Sequence, residues 1–257
     1  MTPTAPIFST RLAETEADLR AAQRLRYTVF VEELGAGGDG VDHENRLETD
    51  AFDAYFDHLL LQDAARPEGD QVVGVYRLLR DDQARELGRF YSEDEYDLSI
   101  LTASGRKLLE LGRSCLHPDY RGGMGMFHLW SALSNYVDRH GIEVLFGVAS
   151  FHGTDPEALA QPLGMLHYNH LAPPGLRVKA RPDHCAQMDV LPADKIVRRA
   201  AMLQVPSLIK AYLRLGGFVG QGAYIDHVFN TIDVCLILDV AHLSERQRAI
   251  YSKDLSK

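Results

Sequence analysis

No run of about 18 apolar residues occurs in the 257-residue chain, so no segment is long enough to cross a bilayer as a helix. The opening MTPTAPIFSTRLAETEADLR lacks the apolar centre of a signal peptide, and a cytoplasmic protein is expected. Cysteine is scarce: Cys115, Cys185 and Cys235 stand far apart with no CxxC pair, which argues against a disulfide framework or a cysteine metal site. Basic charge is in deficit, 27 Lys and Arg against 36 Asp and Glu, for a formal net charge of −9. A chain without a basic footprint is not expected to hold nucleic acid, whereas an acidic one suits a cationic small substrate. Tryptophan occurs once, at Trp130.

What is present is a 46% hydrophobic composition, enough for a substantial core. The chain is organised around Leu108 to Val137. An apolar strand carries Glu110 and Arg113, and a glycine-rich bend, Arg121-Gly122-Gly123-Met124-Gly125, leads into a helix with Phe127, Trp130, Leu133 and Val137 at helical spacing. A strand that enters a helix through glycines aims free backbone N–H groups and the positive end of the helix dipole at one point, which suits a phosphate.

Before this stretch, Thr15-x-x-Asp18 opens a helix with Leu19, Ala22, Leu25 and Val29 on one face, running to about Glu33. A glycine-marked acidic loop, 34–51, and a strand pair, 56–62 and 72–79, follow; 81–97 is helical or irregular. After it come a buried strand over 144–151, a proline-rich insertion over 156–205, a helix opened by Pro206, strands over 223–228 and 233–240, and a C-terminal helix over 242–257. The order predicts a single domain over 1–257: a mixed, mostly antiparallel α/β sheet flanked by helices, the insertion lying before the last helix-strand-strand unit. Two basic clusters, Arg177-Val-Lys179-Ala-Arg181 and Lys195-Ile-Val-Arg198-Arg199, suit an acidic carrier protein, anionic lipid headgroups or plain solvation.

The glycine bend, with Arg121, Gly122, Gly123 and Gly125, resembles the donor loop (Q/R)-x-x-G-x-(G/A) of the GNAT N-acyltransferase superfamily, with Met126 replacing the last small residue. Arg26-x-x-x-Phe30, Glu48-x-Asp50-x-Phe52-Asp53, Gly74-x-x-Arg77-Leu78 and Glu110-x-x-Arg113 are similar to the acyl-homoserine-lactone synthases, although the tryptophan those enzymes carry after the first helix is absent. The segments Glu110 to Arg121, Gly147 to Pro156, Leu208 to Gly216 and Phe229 to Val234 look like the bacterial ornithine Nα-acyltransferases of ornithine-lipid synthesis, a likeness that covers nearly the whole chain.

That resemblance implies an acyl group carried on the phosphopantetheine of acyl carrier protein, with acyl-CoA as a possible donor, ornithine or a similar amino acid as acceptor, and no permanently bound cofactor. It implies that Cys115, Leu116, Arg121 and the glycines face the donor, and that a strand bulge turns a backbone N–H toward the thioester. Glu110, desolvated in its strand, is the candidate base, unless it simply pairs with Arg113. Arg113 is grouped with it as catalytic; Tyr212 is the candidate acid for the leaving thiolate, or a packed helix-face residue. Glu48, Asp50 and Asp53 suit the acceptor's cation, Arg26 and Arg77 its carboxylate or the acidic loop, and Phe30 and Phe151 an acyl channel or plain core. His167 and His170 have no convincing third ligand, and no metal is expected. The competing functions are lactone synthesis and a non-catalytic acyl-carrier or lipid-binding module. An amphiphilic product suits peripheral contact with the inner membrane.

Overall fold

Continuous apolar runs in the central strands decide how the first half is layered. The computed structural model describes residues 5–243, which fall into two compact units: 5–87 with Leu111–Gly141, and Gly88–Glu110 with Ile142–Leu243. In the first, β1 (Phe8–Leu12) pairs antiparallel with β2 (Asp57–Asp63), and β2 with β3 (Val72–Arg80). Strand β4 (Leu108–Leu116), which belongs to this unit from Leu111 onward, lies next to β3.

Helix α1 (Glu16–Arg26) begins with the capping box read from sequence: Thr15 Oγ1 accepts from Asp18 N at 3.1 Å, and Asp18 Oδ2 accepts from Thr15 N at 3.1 Å. Past Arg26 the helix widens into a π-helix, Tyr27–Glu33, a form that periodicity alone does not announce. Ala22, Leu25 and Val29 pack on Leu60, Val75 and Cys115, one face of the sheet. On the other face, Leu61, Gly74 and Leu116 meet α2 (Gly125–His140). A Cβ at Gly74 would stand 2.7 Å from Leu116 Cδ2 and 3.0 Å from Leu129 Cδ1, so glycine is what allows helix and strand to close. Covered on both sides, β3 is buried from Val73 to Leu79 and reads as a continuous apolar run broken by Arg77. Helix α2 stops at Gly141, whose φ of 63° is the left-handed C-cap conformation that glycine takes without steric cost.

In the second unit, Leu108–Glu110 of β4 pair in parallel with Val144–Phe146 of β5 (Val144–His152). The insertion holds α3 (Ala160–His170) packed on α4 (Arg198–Gln204), more regular than its prolines suggest, and α5 (Ser207–Arg214) follows Pro206. Strand β6 (Ala223–Asp226) forms a hairpin with β7 (Thr231–Asp239), and β7 pairs antiparallel with β5 along its whole length, Thr231↔His152 to Asp239↔Val144. The mixed, largely antiparallel α/β architecture is the one the sequence predicts. Strand β1 and the two-residue strands Cys185–Ala186 and Phe218–Val219 are additions, too short to stand out in sequence. Of the C-terminal helix expected over 242–257, everything from residue 244 lies outside the described residues.

Candidate active site

Three arginines from three elements converge on the α1 side of the first unit's sheet. Arg26 is the last residue of α1 and is fully buried; its Nε donates to Glu48 Oε2 at 2.5 Å, and its Nη1 and Nη2 donate to Asp53 Oδ1 and Oδ2 at 2.7 and 2.9 Å. Arg77, also fully buried, donates from Nη1 to both oxygens of Asp50 at 2.7 Å and to Asp53 Oδ1 at 2.8 Å, with its guanidinium 4.3 Å from the Phe56 ring centre. Arg113 reaches Glu48 Oε1 at 3.1 Å and Asp50 Oδ2 at 3.5 Å. Gln23 adds a bond to Asp53 Oδ2 at 2.9 Å.

Burial pushes the Asp53 carboxyl up, but the Arg26 hydrogen bond and the charges of Arg26 and Arg77 outweigh it and hold the group well below the usual carboxylate range. Burial also lowers the neighbouring His58. Three carboxylates thus face three guanidiniums, and the set expected to receive a cationic acceptor has its charge matched from within the protein. Arg77 is placed to order the acidic loop, one of the two roles open to it from sequence.

Arg113 sits mid-strand at φ 48°, a left-handed conformation costing about 1 kcal/mol for a side chain with a Cβ. Arg113 lies on the α1 side of the sheet, where it meets Glu48 and where Cys115 packs on α1. The Cys115 thiol is pushed up to about 12 by burial, which makes it an inert packing group against α1 rather than a nucleophile. Phe30, in the π-helix, is partly buried against the same cluster.

The glycine bend forms the turn that the sequence predicts. Gly122 has φ 73°, and a Cβ on Gly125 would meet Tyr120 O at 3.3 Å. Helix α2 starts at Gly125 with no side chain capping it, so its first-turn amides are presented without a side-chain acceptor. Arg121 does not stand open beside them. Its Nη1 and Nη2 make a bidentate pair with Glu33 at 2.5 and 2.7 Å, and its Nε and Nη2 donate to Leu116 O at 3.3 and 3.2 Å. That hydrogen bond holds the Glu33 carboxyl low.

In the second unit, Glu110 is 1% exposed. Its carboxylate accepts from Tyr91 N at 2.7 Å, from Ser92 N at 2.6 Å and from the Ser92 hydroxyl, all on a 3₁₀ turn, Tyr91–Asp94. Phe90, the residue before that turn, makes an edge-to-face contact with Phe146, 5.1 Å between centres. Tyr91 and Ser92 carry no motif in sequence, so this cradle was not legible there. Phe151 and Tyr212 are both buried, on β5 and α5.

A further group was also missed. Glu95, Asp226 and Asp233 each bring a carboxylate oxygen to within 4.8 Å of the others. Burial raises the Asp233 carboxyl to about 6. The signal available for Asp233 was the one that marked Glu110, an acid inside an apolar strand; nothing in sequence links it to Glu95 or Asp226.

Residues 25–131 match the family described as acetyltransferase (GNAT) domain. Over 248 residues the chain is 58% identical to a Rhodobacter capsulatus protein named L-ornithine N(alpha)-acyltransferase, covering 96% of this chain and 95% of that one. A Brucella abortus protein of the same name is 43% identical over 251 residues, covering 96% and 89%. Among solved structures, the AHL synthase LasI superposes with a TM-score of 0.51 at 17% identity over 98% of this chain and 99% of that one, a likeness of fold. With full-length identities of this size, the chain belongs to the L-ornithine N(alpha)-acyltransferase family of GNAT acyltransferases.

Proposed function

We propose that the protein moves a 3-hydroxyacyl group from the phosphopantetheine thioester of acyl carrier protein to the α-amine of ornithine, giving a lyso-ornithine lipid. The observation that carries this reading is the 58% identity, over nearly the whole of both chains, to a relative named for ornithine acylation.

The donor's phosphate groups lie against the uncapped amides at the start of α2, with Arg121 leaving Glu33 to join them. The α-amine, with an ordinary pKa near 8, loses its proton to Glu110, whose carboxylate is fixed by Tyr91 and Ser92. The amine nitrogen bonds to the thioester carbon, and a backbone N–H at Cys115 or Leu116 stabilises the oxyanion. The C–S bond then breaks; Tyr212 gives its proton to the departing thiolate and takes the second proton of the attacking nitrogen, so that the amide and the free thiol leave the tyrosine neutral. Arg26, Arg77 and Arg113 hold the acidic loop in one conformation rather than binding substrate.

The product is amphiphilic. Val197 and Leu203 are 59% and 77% exposed beside Lys195, Arg198 and Arg199, a face that suits contact with an anionic membrane surface. Among the described residues no helix is long and apolar enough to cross a membrane.

The test is purified protein with 3-hydroxyacyl carrier protein and ornithine, followed by thiol release and by mass spectrometry of the amide, with acyl-CoA as a second donor. One thiol per amide is expected from the carrier-bound substrate. Absence of thiol release with ornithine and with every other cationic amino acid refutes the activity; turnover with acyl-CoA alone refutes the carrier.

A further inference from the structure

An enzyme that acylates the α-amine of ornithine must also recognise its second, side-chain ammonium, and the carboxylates nominated for that task from sequence are matched by arginines. The second unit offers another set. Asp233 and Tyr224 are paired across β7 and β6, as are Thr231 and Asp226, so these four side chains share one face of the hairpin. Glu95 approaches from the end of the 3₁₀ turn that cradles Glu110.

Asp233 is 4% exposed, and its Oδ1 has no hydrogen-bond partner among the described residues. A buried carboxylate oxygen in this state costs stability unless something is meant to meet it. Besides burial, Asp226 raises the carboxyl by its charge, while Ser150, Thr231 and Glu95 lie close enough to lower it as hydrogen-bonding neighbours of the carboxylate; no cation is among these groups. Tyr224 beside it is raised by burial and then by Asp183, Glu95, Asp226 and Asp94, which marks the surroundings as strongly negative. Asp226 is partly exposed and forms the open side; its Oδ1 accepts from Val228 N at 2.7 Å and Phe229 N at 3.0 Å, which fixes the carboxylate.

We infer that Glu95, Asp226 and Asp233 form the pocket for the distal ammonium of the acceptor amino acid, and so set the preference for a diamino acid. The spacing fits. An ammonium that donates bonds of about 2.8 Å along tetrahedral directions places its acceptors about 4.6 Å apart, and the three carboxylate oxygens lie within 4.8 Å of one another. The pocket shares a sheet face with the proposed base. Glu110 pairs with Phe146 and Phe146 with Ile237, while Cys235 and Asp233 follow Ile237 at two-residue steps; Cys235 has both Glu110 and Glu95 among its charged neighbours.

This inference rests on the proposed acyl transfer, and the experiment separates the two. The ratio of kcat/KM for ornithine over norvaline, the same chain without the distal amine, is measured for wild type, Asp226→Asn and Asp233→Asn, with melting temperature as the folding control. Wild type is expected to favour ornithine by about 10²-fold or more, and each variant to bring the ratio down at least tenfold, mainly through KM for ornithine. Asp226→Asn, partly exposed, keeps the test valid if Asp233→Asn does not fold. A wild type that acylates neither compound sinks the proposed function. Wild-type turnover of ornithine with an unchanged ratio in Asp226→Asn overturns the pocket and leaves the function standing. A rise in melting temperature with calcium or magnesium that Asp226→Asn abolishes, together with an unchanged ratio, makes the cluster a metal site and overturns the inference as well.

Discussion

Replacing Asp53 by alanine removes the carboxylate that receives two bonds from Arg26, one from Arg77 and one from Gln23 in a buried setting. Glu48 and Asp50 then remain opposite three guanidiniums, two of them fully buried. Removing one partner of such a buried set costs about 3–5 kcal/mol, because an uncompensated charge is left behind. With an unfolding entropy of about 2.1 cal/mol/K per residue over 257 residues, that loss lowers the melting temperature by roughly 6–9 °C. The check is calorimetry with urea unfolding of wild type and Asp53→Ala across pH. Because the folded Asp53 carboxyl lies below its unfolded value, its contribution is fully present above the ordinary carboxylate pKa, about 3.9, and is lost as pH falls through the folded value. The gap between the two proteins is therefore constant from about pH 5 upward and narrows in acid. A loss under about 1 kcal/mol at pH 7 refutes the claim that this network organises the loop.

Three further outcomes are expected. Glu110→Gln keeps donor binding and lowers kcat by about 10²–10⁴-fold, read in single-turnover acyl transfer; a full rate removes Glu110 from the chemistry. Glu33→Gln frees Arg121 and lowers KM for the acyl donor, whereas Arg121→Ala raises it, so opposite shifts in steady-state kinetics identify the Arg121–Glu33 pair as a competitor of the phosphate. Leu203→Asp together with Val197→Asp reduces co-sedimentation with anionic vesicles at least severalfold without changing the melting temperature by more than a degree or two.

Local pattern alone settled the parts of this protein whose chemistry is local. The capping box at Thr15, the C-cap at Gly141, the glycine bend and the apolar runs of β3, β5 and β7 follow from steric and burial rules acting within a few residues, and they were legible without coordinates. The partners of charged groups were not. Whether Glu48, Asp50 and Asp53 receive a substrate or three arginines depends on α1, β3 and β4 presenting Arg26, Arg77 and Arg113 to the same side, one of them through a left-handed residue inside a strand. Glu110 is held by Tyr91 and Ser92, and Asp233 meets Glu95, across separations of 18 residues and more than a hundred, which sequence spacing does not encode. Long-range electrostatics is set by which faces the chain turns toward each other, and only the folded chain decides that.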